Sequence, residues 1–301
     1  MARTKTPFPH AAFSFGLDRL TTGEVWFVDS GASNATNGNL GDSPDRPFAT
    51  LNGAINSATA SNGDQIVLMP GHTETVSSAL TQVISKAGLT IIGVGVGSNR
   101  PTFNFTATAS SFEIDSANTT IENVRFVAGI SAVVVGVNVD ADNVTLKNCE
   151  WNLSATGFDF VIMVDVDTVN NCSIEDCIFR AEGATAGAAE AIRLDTANFA
   201  RVLRNEMYGD FSAAAILAEG AASLQIYVAD NVVYNDDTAS TNNGIDLSVA
   251  CTGVTAFNRL TGLQGTNVVA LLDPGSCLNI ENYGCNAIDE LGIVIGGTPS
   301  T

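Results

Sequence analysis

Of the chain's 301 residues 45% are hydrophobic, and 13 basic against 32 acidic side chains leave a net charge of −19. So acidic a chain excludes a phosphate-backbone partner, which needs clustered Lys and Arg, and no nucleic acid is expected to bind. Apolar runs are as short as Ala132-Val-Val-Val-Gly-Val137; none approaches the roughly 20 residues of a membrane span, so no membrane partner is expected either.

Residues 1–23 form an extended arm with the pattern of neither helix nor strand. It carries Pro7 and Pro9, the aromatics Phe8, Phe13 and Phe15, and the basic residues Arg3, Lys5 and Arg19. Alone such an arm is disordered. Those six aromatic and basic side chains are the candidate partner-binding residues, with packing along the arm's own chain as the alternative. The N-terminus lacks the apolar core of a secretory signal peptide, so the protein is expected to be made and folded in a cytoplasm. Its six cysteines are then expected to be reduced.

Over residues 24–62, Phe48, Leu51, Ala54, Ile55 and Ala58 form the apolar stripe of a short helix. That helix can cap an open sheet edge downstream.

From residue 63 to 285 the chain repeats. Ile121-Glu-Asn123-Val124-Arg-Phe126 returns as Leu146-Lys-Asn148-Cys149-Glu-Trp151, Ile174-Glu-Asp176-Cys177-Ile-Phe179 and Leu203-Arg-Asn205-Glu206-Met-Tyr208. Weaker copies carry Asp230, Asn258 and Asn282, and the steps from Asn123 are 25, 28, 29, 25, 28 and 24 residues. Such a period without helical periodicity predicts a solenoid. A second strand series, Phe112-Glu-Ile114-Asp115, Val137-Asn-Val139-Asp140, Val164-Asp-Val166-Asp167 and Ile192-Arg-Leu194-Asp195, superimposes without gaps. Its alternation marks half-buried strands, with Asp at the exit into a turn and Asn118, Asn143, Asn170 and Asn198 three residues on. One side of each coil is tight. The other carries variable excursions, such as 152–160, 182–190 and 235–244, where a solenoid usually places recognition. About nine rungs are expected, at roughly 4.8 Å each. Residues 286–301 are left as a C-terminal cap.

Cys149 and Cys177 share one repeat position and are expected to be neighbours in an internal stack. No cysteine pair has zinc-ligand spacing, and His10 and His72 lie outside the repeats, so no metal site or cofactor is assigned.

Trp26-Phe-Val-Asp-Ser-Gly31, Gly41-Asp-Ser-Pro-Asp-Arg-Pro-Phe-Ala-Thr50 and Gly63-Asp-Gln-Ile-Val-Leu-Met-Pro-Gly71 resemble the opening of pectate-lyase-like right-handed parallel β-helix proteins. The resemblance implies an all-β, single-stranded right-handed parallel β-helix, with residues 24–62 supplying a first strand at Trp26-Phe-Val-Asp-Ser-Gly31 and an N-terminal capping helix. Pro70-Gly-His-Thr-Glu74, followed by Gly97-Ser-Asn-Arg-Pro-Thr-Phe103, is similar to β-helix proteins of tailed-phage virions. Polysaccharide lyases, hydrolases, adhesins and virion proteins share the fold, so fold alone does not choose among them.

A lyase needs carboxylates to hold Ca²⁺ and a basic group to take a proton. The outward second-strand residues Glu113, Asn138, Asp165, Arg193 and Asp246 are the candidates. Against that stands a plainer account, in which Asp165 and Arg193 form a cross-rung ion pair. The row Asp115, Asp140, Asp167 and Asp195 then caps turns rather than binding Ca²⁺. Glu122, Lys147, Glu175 and Arg204, with Arg125 and Glu150, read as alternating charges that stack the coil. No carboxyl pair stands out for a glycosidase. Gly93-Val-Gly-Val-Gly97 leads into no helix and reads as a turn, and neither histidine has a Ser or Cys partner for a triad. The expectation is therefore a non-enzymatic virion structural protein, a capsid decoration or cement protein. It would bind the major capsid protein or other virion proteins through its arm and one flank, and the β-helix resemblance implies a homotrimer. The alternative is a tail-spike or fibre protein binding or cleaving a host glycan, with lyase or hydrolase activity as its enzymatic form.

Overall fold

In the computed structural model, residues 21–181, 187–237, 243–262, 271–286 and 291–293 are described. Three sheets run the length of a right-handed parallel β-helix, and each coil contributes one short strand to each sheet in turn. Sheet A, which includes Thr120–Glu122, has ten strands; sheet B, with Arg125–Ala128, has ten; sheet C, with Val133–Val139, has eight. The expected nine complete rungs are thus too many, because sheet C provides only eight strands. The final pair in sheet B is antiparallel, Tyr283–Asn286 against Leu291–Ile293, and ends the parallel coil. Among the described residues no helix is long and apolar enough to cross a membrane.

The core is a column of inward side chains. Phe103, Phe126, Trp151 and Phe179 stack up sheet B, with centroid separations of 6.1, 4.9 and 4.6 Å. The helix Leu51–Ser57 forms where expected, N-capped by Thr50, whose hydroxyl accepts from Gly53 N–H. Phe48, Leu51, Ala54, Ile55 and Ala58 all join the core.

His72 and Glu74 tie this cap to the first coil. Ser30 N–H donates to His72 Nδ1 at 3.0 Å, so Nε2 carries the ring proton and donates to Glu74 Oε1 at 2.8 Å. The same carboxylate accepts from Leu51 N–H and Gln82 Nε2. Both side chains are buried. The Pro-Gly-His-Thr-Glu segment is therefore a structural lock between strand, helix and coil.

The tight corner between sheets A and B corrects the repeat register. Strand pairing aligns Ile174 with Val202 and Val202 with Val228, which puts Cys177 opposite Asn205 rather than Asp176. Two columns exist where the sequence suggested one. The outer column is Asn123, Asn148, Asp176, Arg204, Asp230, Phe257 and Glu281, all left-handed with φ between 45° and 58°. Its inner neighbour runs Val124, Cys149, Cys177, Asn205, Asn231, Asn258 and Asn282, every one fully buried. In the early coils the left-handed residue is itself Asn or Asp, which tolerate that conformation. In the later coils a buried Asn clamps the corner, as Asn205 N–H donates to Asn231 Oδ1 at 3.0 Å. That clamp lets Arg, Phe and Glu take the strained position. Cys149 and Cys177 do stack, Cys149 N–H lying 3.4 Å from Cys177 Sγ, and both thiols are free.

Candidate active site on the outer face of sheet C

The ungapped strand series proves to be sheet C. Glu113, Asn138, Asp165, Arg193, Leu217 and Asp246 pair across successive strands and face outward as one column. The excursions lie between sheets B and C and so flank this face; residues 154–159 are one of them. Parts of the other two, and the six arm residues Arg3, Lys5, Phe8, Phe13, Phe15 and Arg19, lie outside the described residues.

Arg193 grips Asp165 with two nitrogens. Nε donates to Oδ1 at 2.9 Å and Nη2 to Oδ2, while Nη1 stands 3.7 Å from Glu219 Oε2. The Asp165 carboxylate raises the Arg193 pKa above its ordinary value. A guanidinium held this way cannot act as the proton acceptor suggested by the sequence. It is a fixed positive charge.

Glu190, absent from the sequence candidates, is a second ionisable group within reach of the Arg193 and Asp165 charges. It is only 6% exposed, and its Oε2 has no hydrogen-bond partner. Burial pushes its pKa up to about 7; Arg193 opposes the shift, and the Glu219 and Asp165 charges add to it. Its strand neighbours are Ile162 and Ala214, which offer no hydrogen bond to its side chain. A local irregularity puts it there. Ala191 and Ile192 both join the core, as do Ala215 and Ile216, so strict alternation fails; the pairing register shifts between Ala188 and Glu190.

Two and three strands away, one oxygen each from Glu113, Asp115 and Asp140 lies within 4.8 Å of the others. Asn138 Nδ2 bridges Glu113 Oε2 at 2.8 Å and Asp140 Oδ2 at 2.9 Å. Burial, then the Glu113, Asp167 and Asp115 charges, raise the Asp140 pKa. At the strand exits the turn-capping reading holds for part of the row. Of Asp115, Asp140, Asp167 and Asp195, it is Asp195 whose Oδ1 accepts from a turn, at Ala221 N–H; Asp246 and Asp273, in the outward column, accept from Ser248 and Gly275 N–H.

On the other faces, Arg125 meets Glu150 at 3.0 Å as expected. Glu122, Lys147 and Glu175 do align, but Leu203 is the next residue in that column. Arg204 sits one position on, paired with Asp176 and Glu175.

No family model and no curated protein matches the sequence. Among solved structures, the pectate lyase Pel9A is similar at a TM-score of 0.50 and 14% identity, covering 90% of this chain and 79% of that one. A rhamnogalacturonan lyase aligns at 0.48 and 11%, covering 86% and 87%. A lacto-N-biosidase from Eubacterium ramulus aligns at 0.40 and 11%, covering 91% and 66%. The likeness to Pel9A establishes the pectate-lyase-like β-helix fold. The expectation of a non-enzymatic protein is corrected to this extent: Pel9A, a pectate lyase, shares the fold over most of both chains, so the fold does not speak against an enzyme.

Proposed function

We propose that this β-helix cleaves glycosidic bonds in a polysaccharide laid along the outer face of sheet C. Glu190 is the general acid, Arg193 the fixed charge beside it, and Asp165 and Glu219 the carboxylates around them. One observation carries this: Glu190 is a buried carboxyl with an unpartnered oxygen that holds its proton up to about pH 7. Carboxyls kept apart in protonation by their surroundings are what glycoside hydrolysis needs, one to protonate the leaving oxygen and one to remain charged.

Elimination is the second reading. It is favoured by the Glu113, Asp115 and Asp140 oxygens, which could hold a Ca²⁺ ion against a sugar acid on so acidic a chain. A virion setting is a separate proposal, supported by the resemblance of residues 70–103 to phage β-helix proteins. There the arm would dock on capsid or tail proteins, the protein would be a trimer, and the substrate would be a host glycan. Deletion of residues 1–20 tests that setting; assembly unchanged by the deletion would sink it.

The test of cleavage is a panel of neutral and acidic polysaccharides incubated with and without Ca²⁺, read for new reducing ends and for unsaturated ends. Reducing ends without unsaturation mean hydrolysis; unsaturation means elimination. Glu190→Gln is expected to lower turnover by about 100-fold or more. Turnover untouched by Glu190→Gln, or no cleavage across the panel, would remove the proposal.

A further inference from the structure

Beside the capping helix lies a cavity of ≈ 400 Å³, open to solvent, at the start of the first coil. It is far from Glu190: Gln82 on its wall is separated from the Glu190 strand by four steps along sheet C, roughly 19 Å at about 4.8 Å per strand. Its lining is hydroxyl and amide, from Ser30, Thr50, Asn52, Thr73 and Thr81, with Gln82 and Glu74 also lining it. No Lys, Arg or His is among the lining residues.

Gln82 singles this cavity out. The residue is 2% exposed, and its Oε1 has no hydrogen-bond partner. The amide cannot gain by flipping, because Nε2 already donates to Glu74 Oε2, and exchange would set oxygen against oxygen. Glu74 meanwhile accepts from His72, Leu51 and Gln82 and has no need of a further donor. A buried acceptor left without a donor costs about 1–3 kcal/mol, so a donor arriving from the cavity would relieve it. The Thr50 hydroxyl accepts from Gly53 N–H and Asn37 Nδ2, which leaves its own proton to donate.

We propose that this cavity binds a single neutral sugar residue. One ligand hydroxyl donates to Gln82 Oε1 and another accepts from a threonine hydroxyl. The Glu74 carboxylate and the absence of lining cations select against uronates and phosphates. An anion here would be desolvated beside a like charge. The cavity volume falls within the range of about 300–1,000 Å³ usual for small-ligand sites. The site does not depend on the cleavage proposed for sheet C, and Glu190→Gln leaves it unchanged.

The experiment is ligand-observed NMR on the full chain with methyl glycosides of glucose, galactose and N-acetylglucosamine, and with galacturonate as the anionic control. At least one neutral glycoside is expected to bind and galacturonate is not. Thr75→Trp, an exposed position on the rim, is expected to abolish the signal by filling the cavity. Gln82→Met is expected to weaken binding about tenfold, the loss of one good hydrogen bond. A circular-dichroism melt shows that each variant is folded, and the rim variant keeps the test valid if Gln82→Met unfolds. Failure of all three neutral glycosides to bind, equal binding of galacturonate, or full binding by Thr75→Trp would overturn the proposal.

Discussion

Asn231, at the corner of sheets A and B, and Glu190, on the outer face of sheet C, are both buried polar side chains in a repeating coil. Asn231 is wholly satisfied. Its Oδ1 accepts from Asn205 N–H and Nδ2 at 3.0 Å each, and its Nδ2 donates to Val202 O at 2.8 Å and Asn258 Oδ1 at 2.9 Å. Glu190 keeps an oxygen without a partner, next to charges it does not neutralise. A satisfied buried network rigidifies a fold, whereas an unsatisfied buried acid is a cost that the rest of the coil must offset. The difference teaches where this molecule uses polar groups for stacking and where it holds one ready for chemistry.

The largest expected effect breaks the satisfied side. Asn231→Ala strands the Asn205 donors and the Val202 carbonyl in the interior, and should lower unfolding free energy by about 4 kcal/mol in urea titration. A loss under about 1 kcal/mol would show that the ladder is decorative.

Next comes the pH dependence of Glu190. Its folded pKa, about 7, lies above the ordinary carboxyl value of 4.5, so between those values the folded state holds a proton that the unfolded state has released. Stability from this group is therefore present at low pH and lost as pH rises toward 7, by up to about 3 kcal/mol. Glu190→Gln should remove that part of the slope when urea midpoints at about pH 5 and about pH 8 are compared with the parent. Equal slopes in the two proteins would contradict the raised pKa.

Arg193→Met should cost about 2 kcal/mol near neutral pH, because Asp165, only 7% exposed, loses its counter-charge. The urea midpoint of the variant measures the loss, and an unchanged midpoint would contradict the ion pair. The smallest effect belongs to the exposed ladder on sheet A. Lys147→Ala, between Glu122 and Glu175, should change stability by no more than about 0.5 kcal/mol.

Much of the fold was legible because strands half buried in a core must alternate, and because a coil returns to the same environment at a near-constant interval. The ungapped Asp series mapped residue for residue onto sheet C. The Asn series did not, since Asn suits both a left-handed corner and a buried ladder. Merging Asp176 with Asn205 joined two adjacent columns that only strand pairing separates. Asp165 and Arg193 were legible as partners, being in equivalent positions on adjacent rungs. Glu190 was hidden by the alternation rule itself: counting back in twos from Ile192 places it in the core, but Ala191 and Ile192 both point inward, so the count is broken before it reaches Glu190. A carboxylate at an apparent core position was the one signal that could have exposed it.

The sequence by itself determined the class of fold, the capping helix and the flank that carries the excursions, because these follow from local patterning repeated many times. Tertiary structure alone decided which asparagines share a ladder, that Arg193 is locked as a cation, and that Glu190 is dry and unpartnered. Those properties depend on what stands one coil away, about 4.8 Å in space but some two dozen residues along the chain. Burial and the charges across that gap set the chemistry, and no local pattern encodes them.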